Sequence, residues 1–155
     1  MSFKIFMINE IGQGYIMTYE EWFMKQGELH ANVMKKLEDK TTDEVIEYFE
    51  FDNMVKNEPD FCPLYKDNKK CHDMEDLNCY LCACPNFRFK MEGFEKQDGK
   101  TLFSVCNIKS VDGAQYIGKD YIHQNCSGCT VPHSAKYIKK NFNRNWFEVM
   151  KDVRS

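Results

Sequence analysis

Eight cysteines and four histidines are the residues of this chain that can do chemistry, and the cysteines are clustered. The stretch Cys79-Tyr80-Leu81-Cys82-Ala83-Cys84-Pro85 holds three thiols, and Cys126-Ser127-Gly128-Cys129 holds two more. A Cys-x-x-Cys turn points both sulfurs at one ion, and two such turns make a four-thiolate site with sulfur–metal distances of about 2.3 Å. The spacing therefore pairs Cys79/Cys82 with Cys126/Cys129. Cys62, Cys71, Cys84 and His133 are left to complete a second site. Cys82 and Cys84 lie close enough together that these sets can exchange members. His72 directly follows Cys71 and is held in reserve, because neighbours of this kind usually supply one ligand. The participation of His123 is left open.

Zinc and iron compete for such ligands. The Cys62-Pro63 and Cys84-Pro85 steps resemble those at cluster ligands in bacterial ferredoxins, and eight cysteines can hold two [4Fe-4S] clusters. The Cys-x-x-Cys-x-x-Cys run of those ferredoxins is missing, so the spacing favours zinc. No His-x-Glu with Pro-Cys-x-x-Cys is present, which removes the deaminase pattern. No catalytic group is assigned.

Elements must position these ligands. Residues 3–8 read as a short strand, broken by Gly12-Gln13-Gly14. Thr18–Glu21 and Thr41–Glu44 are capping boxes. The first opens a helix with Trp22, Leu29, Val33 and Leu37 on its apolar face, interrupted at Gly27. The second opens a helix running to about Val55 and ended before Pro59. Glu44, Glu47 and Glu50 form a solvated face of that helix, without the Glu-x-x-His pairs of a di-iron site. Residues 60–92 have no period and read as loops organised by ligands. Residues 93–117 read as small antiparallel strands, with hairpin signals at Asp98-Gly99 and Asp112-Gly113. Leu102, Cys106 and Ile108 share one face of a strand over 101–108, so Cys106 is expected as a small buried hydrophobe. Ser134 caps a single C-terminal amphipathic helix with Ile138, Phe142, Trp146, Val149, Met150 and Val153 on its stripe. Lys136, Lys139, Lys140 and Arg144 form its basic side. This reads as a wet helix face before it reads as a nucleic-acid surface.

The expected fold class is α+β: a small metal-stabilised cysteine-rich core with short antiparallel strands, N-terminal helices and a C-terminal amphipathic helix. Residues 1–57 are expected as a mainly helical extension packed on the core, and 58–155 as the cysteine-rich domain. A chain with 43% hydrophobic residues, 12 Phe, 8 Tyr and 2 Trp can fold without disulfide staples. Its charge of −3 speaks against general polyanion binding. The N-terminal apolar run stops at Asn9-Glu10, too short for a signal peptide, so a cytoplasmic setting with reduced thiols is expected and no membrane association.

The segments Cys62-Pro63-Leu64-Tyr65, Lys70-Cys71-His72-Asp73-Met74, Asn78 to Phe87 and Cys126 to His133 resemble the cysteine-rich small domain family, described as zinc-finger-like and metal-binding. The resemblance covers roughly residues 60–146 and leaves residues 1–57 outside. The resemblance implies metal binding; with metal holding residues 60–133 together and the N-terminal and Trp146 helices presenting a surface, the expected role is a zinc-binding interaction or accessory module whose partner is another protein. Members occur attached to cobalamin-biosynthesis enzymes and in anaerobic or microaerophilic prokaryotes. That setting implies an iron–sulfur redox or metal-transfer protein as the alternative.

Overall fold

The computed structural model describes residues 4–8, 14–90 and 92–154. The fold is α+β. In chain order the elements are β1 (Lys4–Ile8), β2 (Gly14–Thr18), α1 (Tyr19–Lys35), α2 (Thr42–Tyr48), α3 (Phe51–Asn57), β3 (Phe87–Phe89), β4 (Lys96–Gln97), β5 (Lys100–Leu102), β6 (Ser104–Cys106), β7 (Ala114–Ile117), β8 (Tyr121–Asn125), α4 (Ala135–Lys140) and α5 (Trp146–Val149). Short 3-10 turns span Pro63–Asp67 and Val131–His133. Strands β1 and β2 pair antiparallel, and Phe3, Gly12 and Gln13 lie outside the described residues.

Both capping boxes form. The Glu21 amide donates to Thr18 Oγ1 (3.1 Å) while Glu21 accepts from the Thr18 amide (2.7 Å), and Thr41/Glu44 repeat the exchange. Glu44 is thereby engaged at a helix start. Helix α1 runs unbroken through Gly27. This glycine seats a ring instead of ending a helix, since a Cβ there would lie 2.1 Å from Phe147 Cζ.

The second helix differs from expectation: it breaks between Phe49 and Phe51. The cause is tertiary. Phe51 N donates to Leu77 O and Cys79 N to Phe49 O, both at 2.9 Å, with Glu50 bridging Asn78. The backbone leaves the helix to pair with the strand-like approach to Cys79.

The strand expected over 101–108 is also divided, at Phe103. β6 pairs antiparallel with β3, while β5 pairs parallel with β8, in a sheet of order β4-β5-β8-β7. Asp98-Gly99 makes its hairpin, with φ of 51° and 77° as a type I′ turn requires. Asp112-Gly113 closes no hairpin. That role falls to Gly118–Asp120 between β7 and β8, where Gly118 N donates to Tyr121 O (2.8 Å).

The C-terminal helix is two short helices. Asn141, Asn143 and Asn145 compete with helical hydrogen bonding through their side chains. Asn145 Oδ1 caps α5 at the Phe147 amide (3.0 Å), and Asn143 Oδ1 accepts from the Asn145 amide (2.8 Å). Arg144, on this linker, donates to the carbonyls of Leu37 and Lys40. Lys139 pairs with Asp43 at 2.8 Å on the surface.

One buried core gathers α1 (Phe23, Val33), α2 and α3 (Val45, Met54), the cysteine-rich segment (Phe61, Leu77, Tyr80, Leu81) and the C-terminal helices (Ile138, Trp146, Met150). Residues 60–92 are therefore not loops organised by ligands alone. Tyr80 and Leu81, the middle of the first Cys-x-x-Cys turn, are both fully buried. Each contributes about 2 kcal/mol of apolar burial. The Tyr80 ring meets His30, Phe49 and Phe142, and its hydroxyl donates to Asn143 O (2.6 Å). By contrast, among the described residues from 90 to 130 only Ser104, Ile122 and Cys129 are buried.

Candidate metal centre

Cys62 opens the 3-10 turn that Pro63 begins, and the Leu64 amide donates to its sulfur. Cys71 lies in a short loop closed by Lys70, whose Nζ donates to the carbonyls of Met74 (2.9 Å) and Glu75 (2.7 Å). Cys79 follows the paired segment, and the Cys79-x-x-Cys82 turn is held by Cys82 N to Cys79 O (3.3 Å) and by Trp146 Nε1 to Cys82 O (3.3 Å).

Ala83 and Cys84 then take φ of 87° and 53°. Left-handed backbone at non-glycine residues costs about 1–3 kcal/mol each and persists only where surroundings enforce it. The turn places two nearly adjacent thiols in different neighbourhoods. Cys84 accepts at sulfur from the amides of Asn86 and Phe87. Cys106 ends β6, where Ser110 N lies 3.5 Å from its sulfur. The Cys126-x-x-Cys129 turn is closed by Cys129 N to Cys126 O (3.0 Å), and Ser110 Oγ lies 3.2 Å from Cys129 Sγ.

The mutual electrostatics of the thiols divide them into fours. Burial pushes Cys82 above the ordinary thiol range, and the charges of Cys79, Cys62 and Cys71 push the same way. Cys79 is raised to about 12 by burial, relieved by Tyr65 and raised further by Cys71 and Cys62. Cys126 is raised to about 11 by burial and then by Cys84, Cys106 and Cys129. Cys84 is raised by burial and also senses Cys106 and Cys129. The first set is Cys62, Cys71, Cys79 and Cys82; the second is Cys84, Cys106, Cys126 and Cys129. Spacing pairs Cys79/Cys82 with Cys126/Cys129, whereas the electrostatic neighbours of Cys79 and Cys82 are Cys62 and Cys71, and those of Cys126 are Cys84, Cys106 and Cys129. Cys106 is half-buried beside the second set and not in the core. Leu102 and Cys106 do not share one strand face, because the strand is broken at Phe103.

His133 is buried, and its Nδ1 lies 3.0 Å from Asn78 O. His72 Nδ1 lies 2.9 Å from Ser127 O. A carbonyl only accepts, so both rings carry the Nδ1 proton, and in the neutral ring the lone pair then lies on Nε2. Burial pushes the His133 pKa down, the Asn78 carbonyl partly offsets this, and His72 adds to the fall. The ligand atoms of Cys71, His72 and His133 all lie within 4.8 Å of one another. His72, held in reserve on spacing, thus stands beside Cys71 and His133. His123 packs on β8 against Phe103 (5.3 Å) with Nδ1 3.1 Å from Ser104 Oγ.

Two buried tyrosine hydroxyls fit thiolates better than thiols. Those of Tyr65 and Tyr19 have no partner of ordinary hydrogen-bond geometry. Tyr65 faces Cys79, and Tyr19 senses Cys82, Cys84 and Cys126. A metal-bound thiolate accepts from an O–H, whereas a neutral thiol accepts weakly. Backbone amides are aimed at sulfur in both sets, and among the described residues the group of three ligand atoms already drawn within 4.8 Å of one another is Cys71, His72 and His133. A cavity of about 340 Å3 lies between the sets, walled by thiols of both, by His72 and His133 and by the rings of Tyr19 and Trp22.

No family model matches the chain, and no curated protein or solved structure matches it. Among the described residues no helix is long and apolar enough to cross a membrane.

Proposed function

We propose that the chain is a zinc-binding protein with two four-thiol centres, serving as an interaction or accessory module for another protein in the reducing cytoplasm. One observation carries the reading: the eight cysteines separate into two sets of four, each containing a Cys-x-x-Cys turn. Closing each set on an ion offsets the mutual repulsion of its thiolates and displaces their protons. The second centre has a structural task, because residues 90–130 bury too little to hold themselves together. Structural zinc contributes on the order of 10 kcal/mol to folding. The zinc-finger-like character of the cysteine-rich small domain family agrees with this.

One observation favours iron as the second reading. Each set holds one Cys-Pro step, Cys62-Pro63 in the first and Cys84-Pro85 in the second. Four thiols with amide donors also suit a [4Fe-4S] cluster. The protein is then an iron–sulfur redox or metal-transfer protein of anaerobic-type metabolism, with a link to cobalamin biosynthesis through the family it resembles.

Elemental analysis with an optical spectrum on anaerobically purified protein separates the two. Two zinc ions and no colour are expected; absorption near 400 nm with bound iron selects the cluster. Chelation is expected to open residues 90–130 to protease before the Cys79–Cys82 turn. A chelator that strips all metal and leaves protease sensitivity unchanged defeats the structural role.

A further inference from the structure

We propose that Cys71, His72 and His133 form a loading site for a thiophilic divalent cation of the zinc class, from which Cys71 carries the ion to Cys62, Cys79 and Cys82. This rests on the two-centre reading above. Cys71 belongs to two groups at once. Its thiolate charge reaches Cys79 and Cys82, and its sulfur lies within 4.8 Å of the ligand atoms of both histidines. It is the exposed member of its set, whereas Cys79 is buried and Cys62 and Cys82 are partly so.

The histidines are prepared for metal. A ring nitrogen tied to a backbone carbonyl fixes tautomer and orientation and leaves Nε2 as the ligand atom. The carbonyl on His133 is Asn78 O, one residue before Cys79, and that on His72 is Ser127 O, one residue after Cys126. The ring positions are therefore set by both cysteine turns. Cys71, His72, His133 and Cys82 also wall the same cavity of about 340 Å3, so an ion reaches Cys82, the member of the first set on that wall beside Cys71, without crossing packed protein.

Capture and transfer are ligand exchange without redox change. Cys71 binds as thiolate, its proton leaving to water, and the imidazoles bind neutral. On transfer the Cys71 sulfur–metal bond is kept, two nitrogen–metal bonds break, and the water that fills the fourth position at the loading site leaves. Three sulfur–metal bonds form, and the protons of Cys62, Cys79 and Cys82 leave to water. Thiolate is the softer donor for this ion, which sets the direction.

The test mixes reduced, metal-free, full-length protein with cobalt(II) in a stopped-flow spectrophotometer and counts bound ions at the end point. Wild type is expected to show an early nitrogen-rich spectrum that relaxes to strong thiolate-to-cobalt absorption, ending at two ions. His72→Ala, and His72→Ala with His133→Gln, are expected to lose the early spectrum. Both should load the first centre slower on the order of tenfold, as when the surroundings of a ligand are lost, and still end at two ions. Loading at the wild-type rate overturns the proposal. So does an end point of one ion, which makes the histidines permanent ligands. His72→Ala alone decides the matter if the buried His133→Gln does not fold. Wild type that binds no ion at all removes the two-centre reading with it.

Discussion

His30 makes stability depend on pH in a way that can be worked out from its surroundings. The ring is fully buried on α1 against Phe49 (4.8 Å), Tyr80 (4.6 Å) and Trp146 (6.2 Å). Neither nitrogen makes a hydrogen bond of ordinary geometry. Burial holds the pKa near 3 against an ordinary 6.5, and the Tyr80 backbone offsets only part of this. The folded value lies below the unfolded one, so folding favours the neutral ring. The stabilisation is whole above about pH 6.5 and is lost as pH falls toward about 3. At pH 5 the loss is about 2 kcal/mol relative to pH 8, since each pKa unit is worth about 1.4 kcal/mol. Urea unfolding of wild type and His30→Leu at both pH values isolates this ring, because the thiol contributions are common to the two proteins. The pH-induced loss is expected to be smaller in His30→Leu by about 2 kcal/mol. A difference under about 0.5 kcal/mol, the usual scatter of additivity, refutes the assignment.

Two further changes test particular contacts. Cys106→Ser is expected to lower the ion count from two to one by native mass spectrometry; a half-buried hydrophobe would instead keep two ions and cost about 1 kcal/mol. Gly27→Ala in an open helix would gain about 1 kcal/mol. Here the new Cβ meets the Phe147 ring at 2.1 Å, so thermal unfolding should show a loss of about 1–3 kcal/mol, recovered in part when Phe147→Ala is added.

What could be read from the chain was local. Thr18 with Glu21, and Asp98 with Gly99, act over three residues or fewer and formed as expected. The second helix could not be delimited in the same way, because its break is imposed by the backbone of Leu77 and Cys79, far along the chain. Tyr80 and Leu81 show no period, so nothing local marks them as core. The clustering of thiols was legible, but their partition was not. It turns on left-handed backbone at Ala83 and Cys84, neither of which is glycine, and on a strand that changes partner at Phe103. The asparagines at 141, 143 and 145 were a readable helix break that the apolar stripe outweighed.

The joint at Ala83 has a mechanical consequence. In the proposed two-ion state, one ion closes a ring over residues 62–82 and the other over 84–129, so the backbone becomes a figure of eight crossed at a single residue. Torsion at that residue is held at a φ of 87°, far from the broad basins of the backbone, and His72 Nδ1 to Ser127 O ties the two rings a second time. The rings then turn as one body, and the angle between their ions is set before either ion arrives.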